Sequence, residues 1–138
     1  MCCCVSEAMD TSCHGRRLAK HACRYHSFMD KRGALVGQNE ALFRNVNERI
    51  EQLNESFAPV TNTFEVMCEC GDSGCVTQIP IATDAYERVR TDATLFIVAP
   101  GHEASEIEDI VDTQSAYHIV RKRAGLPARI AEKTDPRS

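Results

Sequence analysis

Three cysteines within eight residues constrain the fold of this 138-residue chain more than any other feature. Cys68, Cys70 and Cys75 follow the spacing C-x-C-x4-C, and two glycines fall between the second and the third. Apolar residues alternate on both sides of this segment within residues 63–81, which predicts two strands joined by a turn. Because a hairpin tip can gather three sulfurs at one point, we predict a β-hairpin that resembles a zinc knuckle.

Three neighbouring thiols suit zinc, which is borderline-soft and takes four ligands in a tetrahedron. His102 is the candidate for the fourth ligand, because it follows a short apolar strand in the turn-forming sequence Pro100-Gly101-His102-Glu103. His118 is the rival, and a cysteine from the N-terminal segment or a water at an open catalytic position are further possibilities. We predict that one Zn²⁺ is bound by a set of four residues: Cys68, Cys70, Cys75 and His102.

Other interpretations of the cysteines remain open. The three cysteines could also be buried thiols that bind no common metal ion. A disulfide framework fits less well, because an intracellular chain is kept reduced and three local cysteines leave one unpaired. An iron–sulfur cluster usually takes four cysteines, so it fits a histidine ligand poorly.

A helix is predicted before the hairpin, over residues 40–57, with Asn39 as its N-cap and Pro59 after its end. Five apolar residues recur there at spacings of three and four, which predicts one apolar helix face: Phe43, Val46, Ile50, Leu53 and Phe57. This face could pack on the protein's own sheet. It could instead form the seam of a homodimer through the helix 40–57.

The remaining patterns predict a helix at 84–91, a strand at 95–98, a helix at 106–112 and a strand at 116–121. Ser105 and Glu108 have the spacing of a capping box for the third helix. The order of elements predicts an α+β fold with a small antiparallel sheet and about three helices.

Composition divides the chain into three parts. Residues 1–38 hold five of the eight cysteines and carry six basic and three acidic residues, and we interpret them as a disordered leader biased toward Cys and His. Residues 39–123 form the patterned domain, and residues 124–138 are expected to be a flexible tail. The leader could also be a second metal site, a basic arm, or the product of a start assigned upstream of Met29 or Val36.

Charge and hydropathy restrict the partners. Residues 39–138 carry ten basic and seventeen acidic residues, so this part would repel phosphates and we expect no nucleic-acid binding. No run of about 18 apolar residues is present to span a membrane, and no secretory signal is recognisable. We therefore expect a cytoplasmic protein with no membrane contact, whose partner is another protein.

Four segments resemble a group of short uncharacterised proteins common in actinobacteria, over about residues 39–123. The segments are Asn39-Glu40-Ala41-Leu42-Phe43-Arg44 with the helix that follows, Cys68-Glu69-Cys70-Gly71 with Cys75, Tyr86-Glu87-Arg88-Val89-Arg90, and Pro100-Gly101-His102-Glu103. The resemblance implies a cytoplasmic protein in which the cysteines and His102 act together. It implies no activity.

Four functions are compatible with these patterns. The first is a zinc-stabilised interaction or regulatory module without enzymatic activity, in which the metal helps a small domain to fold. The second is a thiol-redox sensor that uses the same cysteines. The third is an enzyme, such as a zinc hydrolase with Glu103 or Glu69 as general base. The fourth is nucleic-acid binding through residues 121–123 and the leader, which the acidic domain disfavours.

Overall fold

The computed structural model describes residues 16–57 and 62–138, with side chains at residues 31–56 and 62–138. The described residues form three helices and five strands. In chain order these are α1 (Arg16–Phe57), β1 (Thr63–Met67), β2 (Gln78–Ala82), α2 (Thr83–Arg90), β3 (Leu95–Val98), β4 (Glu108–Thr113), β5 (His118–Lys122) and α3 (Leu126–Lys133). One antiparallel sheet pairs β1 with β2, and the other has the order β3-β5-β4. The predicted α+β class is confirmed.

The core lies between these sheets and α2. In the β1–β2 hairpin, Phe64 is opposite Ile81 and Val66 is opposite Ile79, and all four side chains are buried. The Phe64 ring also meets the ring of Tyr86 edge to face, with centroids 5.3 Å apart. The alternation in the sequence therefore marks the buried side of this hairpin correctly, although β1 ends at Met67, just before the first cysteine.

The segment after β1 connects the two sheets. The Cys68 N–H donates to the Thr77 carbonyl at 2.9 Å, and the Glu69 N–H donates to the Ile97 carbonyl at 2.8 Å. The Ile97 N–H in turn donates to the Glu69 carboxylate at 3.1 Å. These bonds fix the start of the cysteine segment against β3, which leads to the turn that carries His102.

Helix α1 differs from the prediction at its N-terminal end. It begins at Arg16 rather than at Glu40, and it runs through residue 38, where the domain boundary was expected. Asn39 is not a cap but donates a side-chain hydrogen bond to the Gly71 carbonyl at 2.9 Å. Gly37 does not mark a boundary either: a Cβ there would lie 2.9 Å from Ile130 Cγ2, so the glycine permits close contact with α3.

The prediction of a buried apolar face on α1 is also wrong for part of its residues. Phe43 and Ile50 are half-buried, but Val46 is 38% exposed and Leu53 is 58% exposed. The side chain of Phe57 lies outside the described residues. The face that packs on the domain is mostly polar instead, with five buried polar residues besides the buried Ala41: Glu40, Arg44, Asn47, Glu48 and Glu51.

The polar face of α1 is buried because it meets backbone groups and charges of the sheets. Arg44 donates to the carbonyls of Ala93 and Leu95, and its guanidinium carbon lies 3.6 Å from the centre of the Phe96 ring. A buried backbone carbonyl needs a hydrogen-bond donor when water cannot reach it. Polar helix residues are therefore required at this contact.

The predicted helix at 106–112 is wrong, because residues 108–113 form strand β4. Only a single turn forms before it, where the Ile107 and Glu108 N–H groups donate to the Ala104 carbonyl. β4 then pairs with β5, with a register shift between Ile110 and Asp112. The spacing of the apolar residues fits a helix, but β-branched residues in this segment also suit a strand, and pairing with β5 decides the outcome.

Residues expected to be a flexible tail contain α3. Ala131 of this helix is buried in the core. Beyond it, Asp135 forms an ion pair with Arg90, and the Arg137 side chain donates to the Glu48 carboxylate at 2.6 Å. The C-terminal residues thus contact both α1 and α2.

The expected leader falls mostly outside the described part. Residues 1–15 are not described, and neither are the side chains of His21, Cys23 and His26, so a second metal site there stays a prediction. Within residues 16–57 and 62–138, no helix combines the length and apolarity needed to cross a membrane.

Candidate metal centre

The structure brings the four predicted ligands together at one point. One potential ligand atom from each of Cys68, Cys70, Cys75 and His102 lies within 4.8 Å of the other three. The three thiols are free and buried, whereas the histidine is exposed at the surface. The cluster therefore has sulfur atoms on its inner side and an imidazole toward solvent.

The distances agree with the edges of a zinc tetrahedron. The Nδ1 atom of His102 lies 3.6 Å from the Sγ atom of Cys68 and 3.6 Å from that of Cys75. Zn–S bonds of about 2.3 Å and a Zn–N bond of about 2.05 Å at tetrahedral angles place S and N about 3.6 Å apart. The donor set and the spacing thus fit a zinc ion held by three sulfurs and one nitrogen.

Backbone amides surround the sulfurs. The Ala99 N–H donates to the Cys68 sulfur at 3.2 Å, and the N–H of Cys70 also donates to it. The Cys70 sulfur accepts from the Asp72 N–H, and the Cys75 sulfur accepts from the Thr77 N–H. Such donors stabilise a thiolate, and they would offset part of the negative charge that three thiolates bring to a metal.

The three thiols differ in acidity. Burial raises the pKa of Cys68 to about 12, even though the amides of Ala99 and Cys70 oppose it. Burial also raises the pKa of Cys70. Burial acts in the same direction on Cys75, but hydrogen bonds from Thr77, Cys70 and His102 outweigh it and lower the pKa of its thiol to about 7. Without a metal, Cys75 is therefore the thiol that most readily becomes a thiolate.

A tight turn places His102 over the sulfurs. The His102 N–H donates to the Ala99 carbonyl at 3.0 Å, and Gly101 has a φ of +84°. Pro100 at the second position and a positive φ at the third are typical of a type II turn. The sequence Pro-Gly, which begins two residues after the last residue of β3, thus specifies where the imidazole lies.

Helix α1 holds the cysteine segment from the other side. A Cβ on Gly71 would lie 2.2 Å from the Cγ1 atom of Val36, so only glycine fits between the two segments. Asn39 bonds the same glycine's carbonyl. Farther along the helix, Asn47 exchanges two hydrogen bonds with the backbone of Met67, at 2.7 and 2.8 Å. The prediction from sequence missed these supports, because they connect segments that are distant in the chain.

The other groups considered as ligands or bases have different roles. His118 lies outside the four-residue cluster and is paired with the Glu103 carboxylate. Glu69 is fully buried, and its carboxylate accepts from the Asn47 side chain and the Ile97 N–H. Glu103 also accepts from the Gly101 N–H. The two proposed bases are thus hydrogen-bonded to the protein itself.

A cleft of about 610 Å³ opens beside the centre, between α1 and the cysteine segment. Its wall includes Arg32, Asn39, Gly71 and His102. The cleft therefore reaches the imidazole from the solvent side.

Comparison of the chain with protein-family models, with curated proteins and with solved structures gives no match. The resemblance of residues 39–123 to short actinobacterial proteins stays a prediction.

Proposed function

We propose that this chain is a small zinc-stabilised interaction or regulatory module without enzymatic activity, with Zn²⁺ held by Cys68, Cys70, Cys75 and His102. The observation that carries the proposal is the convergence of three sulfurs and one imidazole nitrogen within 4.8 Å. Four protein ligands are typical of structural zinc, whereas catalytic zinc usually has three and a water.

The position of the centre explains why the fold would depend on the metal. The cysteine segment between β1 and β2 contains no regular strand, and it connects the hairpin to β3 and α1. A zinc ion would tie this segment to the turn after β3, which comes 27 to 34 residues later than the cysteines. A cross-link over that distance restricts the unfolded chain and adds metal-binding energy to folding.

Metal content and thermal melting test the proposal. The purified full chain should hold one zinc, and a strong chelator should lower its melting temperature. Cys70→Ser should lose the zinc and much of the stability, because metal-binding energies of small zinc domains are roughly 10 kcal/mol or more. Ser73→Ala, which changes an exposed side chain of the same segment outside the four-residue cluster, is the control and should keep both. A metal-free protein whose melting ignores the chelator would contradict the proposal.

A thiol-redox sensor is the second candidate, since the same sulfurs lie close enough to combine. Peroxide would take two electrons and two protons from two thiols, which gives one disulfide and two waters and would release the metal. Mild peroxide followed by a thiol reductant separates the candidates. Reversible zinc release with a disulfide inside residues 68–75 favours the sensor, and retention of zinc favours the structural site.

A further inference from the structure

Helix α1 has an unusual distribution of residues between its buried and exposed faces. Most of its buried positions carry charged or polar side chains, whereas its exposed positions include four large apolar residues, called here the seam: Leu35 (59% exposed), Leu42 (62%), Val46 (38%) and Leu53 (58%). The other exposed positions between residues 35 and 53 are Gln38, Asn45, Arg49 and Gln52, of which only one is charged. A face of this kind is typical of a helix that packs against another protein surface.

The seam residues have the spacing of a coiled coil. Leu35 and Leu42 are seven residues apart, as are Val46 and Leu53, and the two pairs are offset by four. This is an a/d heptad pattern on the side opposite the buried polar face. The same spacing continues in the sequence toward the start of α1, at Phe28, Tyr25 and Leu18. The pattern then covers five heptads, and three or four are enough to indicate a coiled coil.

The rest of the chain offers little to cover such a surface. Besides Met1, residues 1–15 contain only two large apolar side chains, those of Val5 and Met9. Residues 58–61 are too few to follow a seam that is about 27 Å long between residues 35 and 53, at 1.5 Å per residue. A second copy of the same helix supplies the matching length and the matching apolar spacing.

Charge determines the orientation. Residues 16–32 of α1 carry six basic residues and one acidic residue, whereas residues 33–57 carry two basic and four acidic ones. Paired helices lie about 8–10 Å apart, which is close to the screening length of about 8 Å at physiological salt, so charges on the two helices still interact. A parallel pair would place the two basic halves side by side. An antiparallel pair places each basic half beside the partner's acidic half.

We propose that two copies of this chain associate through α1 as an antiparallel helix pair whose contact is the heptad stripe from Leu18 to Leu53, which contains the seam and places Val46 opposite residue 25 of the other copy. Four heptad positions of this stripe are polar, namely His21, Arg32, Asn39 and Arg49, and Asn39 already bonds the Gly71 carbonyl of its own chain. Polar residues at such positions weaken a helix pair and help to fix its register. The homodimer that the sequence left open as an alternative is thus kept as a proposal, but Leu35 and Leu42 replace Phe43, Ile50 and Phe57 in its contact.

Sedimentation of the full-length protein over a dilution series tests the association. The wild type should be a dimer that dissociates on dilution, and Leu42→Glu should be a folded monomer under all conditions. Ile110→Glu places the same charge on an apolar residue that is 49% exposed on β4, and it should leave the dimer intact. Circular dichroism and zinc content confirm folding of both variants. A monomeric wild type, or a Leu42→Glu protein that still dimerises, would overturn the proposal.

Photocrosslinking tests the relative orientation of the two helices and whether a second copy of the chain covers the seam. A benzophenone side chain replaces Val46 in full-length protein, and this protein is mixed with unmodified protein of a different nitrogen isotope. Crosslinks from position 46 to residues 16–30 of the other copy are expected for the antiparallel pair. Crosslinks to the region around residue 46 of the other copy contradict the orientation, and crosslinks to residues 1–15 of the same copy contradict the dimer.

Discussion

Gly101 determines where the candidate ligand His102 stands, because its φ of +84° closes the turn after β3. Side chains other than glycine rarely adopt this backbone conformation, and they pay for it in strain. Only one atom of His102, its Nδ1, faces the sulfurs, so a small rotation of the turn would move the nitrogen out of the cluster.

We predict that Gly101→Ala lowers the free energy of unfolding by about 1–2 kcal/mol and weakens zinc binding, since the turn must change to relieve the strain. Gly33→Ala is the matched control. Gly33 lies inside α1, and a Cβ there meets no atom within 4 Å, so alanine should raise stability by about 0.5–1 kcal/mol. Urea unfolding and competition with a zinc indicator measure both effects. Unchanged zinc affinity in Gly101→Ala would mean that the turn does not position a ligand.

At the scale of elements, α1 is fixed to the domain by polar contacts. Asn47 is fully buried and bonds the N–H and the carbonyl of Met67 as well as the carboxylate of Glu69. It thereby completes hydrogen bonds at the end of β1, directly before the cysteines.

Asn47→Ala should therefore destabilise the protein by about 2–4 kcal/mol, because it leaves buried backbone groups without partners. Asn45 is exposed and bonds only its own helix, at the Ala41 carbonyl, so Asn45→Ala should change stability by less than about 0.5 kcal/mol. Chemical denaturation of the two variants makes the comparison. Equal effects would show that the contact between α1 and β1 does not depend on Asn47.

A second link joins α1 to the three-stranded sheet. Lys122 of β5 pairs with the carboxylates of Glu40 and Glu108, and all three side chains are buried. Burial raises the pKa of Glu40 from 4.5 to about 7, although Lys122 opposes the shift. The folded state thus holds this proton more tightly than the unfolded state.

The sign of the pH dependence follows from this shift. The stabilisation from protonated Glu40 is fully present below about pH 4.5 and is lost as the pH rises through about 7. Glu40→Gln cannot ionise, so its stability relative to the wild type should improve by roughly 3 kcal/mol between pH 4.5 and pH 7.5. Unfolding curves of both proteins across this range provide the measurement. A constant difference between them would contradict a shifted pKa at Glu40.

The sequence predicts elements well where local pattern and tertiary packing agree. The alternation around Phe64 and Ile79 marks the hairpin, and the Pro100-Gly101 pair marks the turn before His102. The prediction from the sequence fails for the buried face of α1, because this helix buries Arg44 and Asn47 against strand ends and leaves Leu42 and Leu53 exposed. The sequence of the helix alone does not indicate which face is buried. The backbone groups to which these polar residues are hydrogen-bonded belong to distant segments of the chain.

At the scale of the whole molecule, three contacts meet at the cysteine segment. The hairpin supplies the sulfurs, the turn after β3 supplies the imidazole, and α1 closes against Gly71. A zinc ion at this point would couple the two sheets and the helix in one cooperative unit, which is how small metal-stabilised domains gain their stability. Loss of the metal should then loosen the fold as a whole.

X-ray absorption at the zinc edge of the purified full-length protein tests the central claim most directly, because it counts the ligands. We expect one zinc per chain with three sulfurs at about 2.3 Å and one nitrogen at about 2.0–2.1 Å. Replacement of the histidine, in His102→Ala, should remove the nitrogen shell or the metal. Four sulfurs, an oxygen in the fourth position, or a nitrogen that persists in His102→Ala would contradict the assignment.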